Sequence, residues 1–193
     1  MTYSQSQQDL FVHKIFGENY SGFFLDIGAG YNFEEDKKIN SNSLFLEQCG
    51  WKGIAIDIDL NRLQNRTCMV HAEKIGDVRS ISDILKQLNC PKLIDYISID
   101  IDGDDFKVLK NIIENNYEFK ILTYEHDLYS GKDSSFFSKN AAFSLLNKKG
   151  YTKIMDNVCA NKTLKDINTG YPYEDWYINS KYISENYAKS LFL

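Results

Sequence analysis

The chain has 193 residues, 43% hydrophobic and 25% charged, with 13 Tyr, 12 Phe and two Pro, which suits one domain with an aromatic-rich core and no linker. Its 22 basic and 27 acidic side chains leave a net charge of −5, and without a Lys/Arg run to displace phosphate counterions no nucleic-acid partner is expected. No stretch approaches the ~20 apolar residues of a membrane span and the first residues lack a signal-peptide pattern, so a cytoplasmic protein with no membrane attachment is expected.

Residues 1–20 read as an N-terminal helical segment before a first strand at 23–25, which runs into Asp26-Ile27-Gly28-Ala29-Gly30. A short helix at 43–49 is stopped by Gly50, a second strand at 53–56 ends at Asp57, and a weaker third strand covers 67–71. Ser80, with Asp83 three residues on, opens a helix whose apolar face is Ile81, Ile84, Leu85 and Leu88, a capping-box pattern with Asp in place of Glu. The fourth strand, 93–101, is a nearly continuous apolar run, the kind covered on both faces. Next come a helix at 106–115, a strand at 120–124, a helix at 140–149 ended by Gly150, a strand at 151–155 and a seventh strand at 176–178. Residues 180–193 read as an appended helix or tail. The alternation predicts a single α/β domain over 1–193, a mostly parallel seven-stranded sheet with helices on both faces. Cys49, Cys68, Cys90 and Cys159 are scattered with no CxxC pair and read as free, core-packed thiols rather than zinc ligands.

Open α/β sheets bind ligands beyond the carboxyl ends of their strands, and polar residues gather there. The Asp-x-Gly-x-Gly loop of Asp26, Gly28 and Gly30 lets the backbone turn tightly and approach a ligand. Asp57, closing the second strand, suits the two hydroxyls of a ribose. This pair fits two cofactors. A dinucleotide site carries a third glycine under its pyrophosphate, and Phe33 stands at that position. Two glycines preceded by an acid suit S-adenosylmethionine, whose sulfonium and α-amino groups are cationic and which has no phosphate. An enzyme transferring a methyl group to a small molecule is therefore expected. An NAD(P)-dependent oxidoreductase and a non-catalytic cofactor-binding protein are the competing readings.

Five segments occur in an order that resembles the FkbM-type methyltransferases: Gln8-Asp9-Leu10-Phe11-Val12, Phe24-Leu25-Asp26-Ile27-Gly28-Ala29, Ser41-Asn42-Ser43-Leu44-Phe45-Leu46-Glu47, Gly50-Trp51-Lys52-Gly53-Ile54 and Asp95-Tyr96-Ile97-Ser98-Ile99-Asp100-Ile101-Asp102-Gly103. The resemblance covers roughly residues 5–130 and fades beyond, apart from Glu174-Asp175-Trp176-Tyr177. It implies the Rossmann-like class I methyltransferase sheet, whose seventh strand lies antiparallel beside the fifth, and O-methylation of a sugar or natural-product hydroxyl, nucleotide-linked sugars included. Asp57 stands where the family often has Glu, and Ile58-Asp59 replaces its usual Pro-Asn. Carried over by position, Asp26, Gly28 and Gly30 would line the methionine part of the cofactor, Asp57 its ribose and Asp77 its adenine, with Asp100 beside them and Gln8 closing over. Residues 31–40 are unusually charged for that loop.

Asp100 and Asp102 follow the fourth strand, and Glu125, His126 and Asp127 the fifth. Two chemistries stay open. Asp100, Asp102 and Glu125 are candidate oxygen ligands for Mg²⁺ or Mn²⁺, which would bind the acceptor hydroxyl and lower its pKa. Alternatively His126, Asp102 or Asp127 takes the acceptor proton as a general base. Both leave the oligomeric state open.

Overall fold

The computed structural model describes residues 2–30, 40–76, 79–101, 103–160, 164 and 166–192. In chain order these form α1 (Gln8–Phe16), β1 (Phe23–Ile27), α2 (Leu44–Gln48), β2 (Lys52–Asp57), β3 (Met69–Ala72), α3 (Ile81–Gln87), β4 (Leu93–Ile99), α4 (Asp105–Glu114), β5 (Glu118–Glu125), α5 (Asp133–Lys148), β6 (Tyr151–Cys159), β7 (Pro172–Asn179) and α6 (Glu185–Ser190). The sheet order is β3-β2-β1-β4-β5-β7-β6. Pairing is parallel from β3 through β5, and β7 lies antiparallel between β5 and β6. The expected sheet, including the reversed seventh strand, is present.

Period-two alternation along the strands splits the core into two layers. Leu25, Ile27, Ile54, Ile56, Ile97 and Ile99 face α3, α4 and α5. Phe24, Tyr96, Ile121, Trp176 and Ile178 face α1, α2 and the C-terminal segment. On that second face Phe11 of α1 stacks on Trp176 with centroids 4.7 Å apart, and Phe192 stacks on Phe11 at 5.3 Å. Residues 180–192 are thus an integral cover whose helix occupies Glu185–Ser190.

Polar residues on the same face would be costly if left unpaired. Asp26 and Ser98 are register partners on β1 and β4. The segment before α2 meets both: Asn42 Nδ2 donates to Ser98 Oγ at 2.9 Å and Ser43 Oγ to Asp26 Oδ2 at 2.5 Å. Arg66, its side chain fully buried, donates from Nη2 to Ser43 Oγ (2.7 Å) and from Nε to Glu47 Oε2 (2.6 Å). A buried chain Glu47–Arg66–Ser43–Asp26 therefore ties α2 to the end of β1.

Several boundaries differ from expectation, each for a local reason. The third strand begins at Met69 because Thr67 and Cys68 give their backbone N–H groups to Glu47. The fourth ends at Ile99, since the Asp105 carboxylate collects the N–H groups of Ile101 (2.9 Å) and Gly103 (3.0 Å) and turns the chain. Asp100 therefore lies just beyond the strand rather than on it. β6 runs on to Cys159 through register shifts against β7, which break the alternation that would have revealed it. All four cysteines are free. Among the described residues no helix is long and apolar enough to cross a membrane.

Candidate functional site

The sheet order reverses direction between β1 and β4, the switch point at which open α/β sheets hold ligands. A cleft of about 620 Å³ opens there, in the size range of cofactor sites, with Gly28, Gly30, Asp57, Arg62, Glu73 and Asp100 among its walls. Gly28 and Gly30 have φ of +79° and +74°, which favour glycine. The N–H groups of Gly28 and Ala29 both reach the Ile56 carbonyl (2.9 and 3.0 Å), holding the loop against β2. A Cβ on Gly28 would sit 1.6 Å from the Asp100 carbonyl oxygen. The glycine thus lets β4's exit pass behind the loop, a demand of the fold itself.

Asp57 is 5% exposed at the end of β2, with Arg62 Nη1 at 3.6 Å and the Asp59 N–H at 3.2 Å from Oδ1. Glu73 faces it from beyond β3, paired with Arg79, which holds its carboxyl at about 2. Ile58, Ile75 and Ile101 add apolar faces that suit a planar heterocycle. Asp100 and Asp104 close the other end. The donors and charges fit S-adenosylmethionine: carboxylates for its cationic groups, Asp57 for a ribose and apolar walls for adenine.

Asp26 lies beneath this loop, outside the cleft's lining and 1% exposed. Burial pushes its carboxyl up despite nearby Arg66, and Oδ1 is buried with no hydrogen-bond partner among the described residues. Gln8 is not a cover over this cleft: its Nε2 donates to the Tyr173 hydroxyl (2.7 Å) and Glu174 Oε2 (3.3 Å) inside the fold. Asp77 and Asp102 fall outside the described residues.

A second cavity, about 280 Å³, is bounded by Gln5, Glu125, Tyr129, Ala160, Tyr171 and Tyr173. Glu125 ends β5, is 8% exposed, and its Oε2 atom has no hydrogen-bond partner among the described residues. Burial, then the adjoining Asp100 carboxyl within hydrogen-bonding reach and the nearby Asp127 and Asp105, hold Glu125 far above the ordinary carboxylate range. Asp100 lines the first cleft and Glu125 the second. Their carboxyl pair is the wall between the two.

His126 does not face either cavity. Its side chain is fully buried, Nδ1 accepts the Leu128 N–H at 3.1 Å, and Nε2 meets Asp175 Oδ1 at 3.3 Å. Both ring nitrogens thus point at protein groups and away from the two cavities. The expectation that His126 is the base is corrected on this geometry. Asp127 adopts a left-handed conformation (φ +51°), is half-buried, and lines neither cavity. Among the described residues no group of three His, Cys, Asp or Glu is arranged to hold a metal ion. Of the three expected oxygen ligands for Mg²⁺ or Mn²⁺, Asp100 and Glu125 are described and Asp102 falls outside the described residues.

Residues that sequence reasoning missed are Arg62, Glu73, Tyr129, Tyr171, Tyr173 and Glu174. Only Glu174 carried a signal, within the Glu174-Asp175-Trp176-Tyr177 segment. It is the register partner of Glu125 on β7, and burial raises its carboxyl to about 8.

The sheet order with a reversed β7 between β5 and β6 is that of the class I, S-adenosylmethionine-dependent methyltransferase fold. The chain superposes on the O-methyltransferase TomG of Streptomyces achromogenes, involved in tomaymycin synthesis and solved with S-adenosylmethionine (12% identity, 90% of this chain, 79% of that chain, TM-score 0.59). It is also similar to an O-methyltransferase from Bacillus cereus solved with S-adenosylhomocysteine (11%, 93% and 84%, 0.55) and to cofactor-bound Rv0187 from MTB (12%, 91% and 81%, 0.61). At these identities the likeness is one of fold. No family model and no curated protein matches the chain.

Proposed function

We propose that this chain is an S-adenosylmethionine-dependent methyltransferase acting on a hydroxyl of a small polar acceptor. The observation that carries the reading is the cleft at the switch point, with Gly28 and Gly30 on one side and Asp57 on the other. The oxidoreductase alternative loses ground: dinucleotide folds of this kind have the order 3-2-1-4-5-6, and here β7 is inserted between β5 and β6. The FkbM-type resemblance supports a sugar or natural-product hydroxyl.

When bound, S-adenosylmethionine supplies an electrophilic methyl group on a sulfonium. Asp57 would accept hydrogen bonds from the ribose hydroxyls, and Gly28 and Gly30 would leave room for the methionine arm. The Asp100–Glu125 carboxyl pair, between the two cavities, would take the acceptor's proton.

Calorimetric titration with S-adenosylhomocysteine tests this directly: binding is expected, and NAD⁺ or NADP⁺ should give none. Asp57→Ala should weaken binding by about 1.5–3 kcal/mol, the usual worth of a charge-assisted hydrogen bond. Dinucleotide binding, or affinity unchanged in Asp57→Ala, would sink the assignment.

A further inference from the structure

Resting on the methyl-transfer reading, we propose that the second cavity seats the methyl acceptor. It selects a compact ring compound that presents a hydroxyl or ammonium donor to Glu125 and carries no phosphate or carboxylate.

Three observations converge on this seat. Tyr129, Tyr171 and Tyr173 surround it, and aromatic faces receive ring faces and cations favourably. Glu125 is more than nine-tenths buried, yet its Oε2 has no hydrogen-bond partner among the described residues. A buried carboxyl oxygen without a partner is costly, and a donor on a ligand would satisfy it. Finally, Glu125 adjoins Asp100 of the cofactor cleft, so the atom bonded to Glu125 is brought to the side from which the methyl would come.

The charge of the surroundings sets the selectivity. Asp100, Asp127 and Asp105 all act on Glu125, and Glu174 faces it from β7. Lys139 and Lys153 pair with Asp175, away from the cavity's lining. No lysine or arginine is among the described residues that bound the cavity. Among the described residues that bound the cavity a diphosphate or carboxylate finds no cation and lies near the Asp100 and Asp127 carboxyls, which disfavours nucleotide-linked sugars among the acceptors the FkbM-type resemblance admits.

The test uses the full chain saturated with S-adenosylhomocysteine and three probes of similar size: tyramine (cation), tyrosol (neutral) and 4-hydroxyphenylacetate (anion), followed by saturation-transfer NMR and calorimetry. Tyramine and tyrosol are expected to bind at least ~10-fold more tightly than the anion, since like-charge juxtaposition suppresses wrong partners, and UDP-glucose should not bind. Glu125→Leu should weaken both tyramine and tyrosol, because it removes the buried oxygen that the ligand's donor would meet. Tyr171, 80% exposed, can be removed without touching the core. Tyr171→Ala should therefore weaken both probes by ~2–10-fold, the worth of one aromatic contact, with S-adenosylhomocysteine affinity unchanged. The assignment is overturned by equal or tighter binding of the anion or UDP-glucose. It is equally overturned if no probe binds a protein that takes S-adenosylhomocysteine, or if Tyr171→Ala changes nothing. Failure in the first titration, with S-adenosylhomocysteine itself, would count against the methyl-transfer reading and is seen separately.

Discussion

Gly28 illustrates how one position can serve ligand and fold together. Its left-handed backbone costs any other residue ~1–2 kcal/mol, and its absent Cβ is overlapped by the Asp100 carbonyl. Gly28→Ala should therefore lower the melting temperature by at least ~4 °C, given ~2–4 °C per kcal/mol at this size. Lost cofactor binding in such a variant reports on the loop's folding as much as on ligand contact. For that reason Asp57, which no glycine-like backbone demand constrains, is the cleaner probe. A melting temperature unchanged in Gly28→Ala would contradict the packing described.

Two neighbouring carboxyls on β7 respond to acid in opposite senses. Burial raises Glu174 from the ordinary 4.5 to about 8. Between those values the folded state keeps a proton that the unfolded chain releases, so stability falls as pH climbs from about 4.5 to about 8, then levels. For Asp175, burial is outweighed by His126 and Lys139, which hold its carboxyl below the ordinary 3.8. Its contribution is present above that value and lost as pH drops below it. Melts between about pH 5 and pH 8 should show a decline in melting temperature. Glu174→Gln should lessen that slope, and a slope identical to the parent's would remove Glu174 as its source.

At the scale of elements, the face covered by α1 depends on aromatic stacking. Phe11 is fully buried between Trp176 and Phe192, and deleting a buried Phe to Ala costs ~3–5 kcal/mol. Phe11→Ala should lower the urea midpoint by the corresponding amount with an unchanged m-value; a shift below ~1 kcal/mol would mean that this layer is loosely packed. The elements themselves were readable where strands are continuous apolar runs, as at Ile94–Ile99, and where helices carry a face such as Ile81, Ile84 and Leu85. Boundaries were lost where a side chain distant in sequence captures backbone groups, as Glu47 does at Thr67 and Cys68. The cofactor cleft was legible because Gly28, Asp57 and Asp100 directly follow their strands. The acceptor cavity was not, because Gln5, Tyr129, Ala160 and Tyr171 come from four separate stretches joined only in the fold. His126 was misread for a related reason. A histidine after a strand looks the same in sequence whether it turns to the cleft or, as here, into β7.

For the whole molecule, the placement of β7 has a consequence in time. β5 (Glu118–Glu125) cannot acquire its second neighbour until Pro172–Asn179 has been made, some fifty residues later. At synthesis rates of ~5–20 residues per second that wait is on the order of 2–10 s. Through this interval the most apolar side of the nascent sheet, Ile121 to Tyr124, presents a row of unpaired N–H and C=O groups, a template for any other extended chain nearby. The order of the strands thus makes the nascent sheet most vulnerable to misassociation just before Pro172–Asn179 is translated.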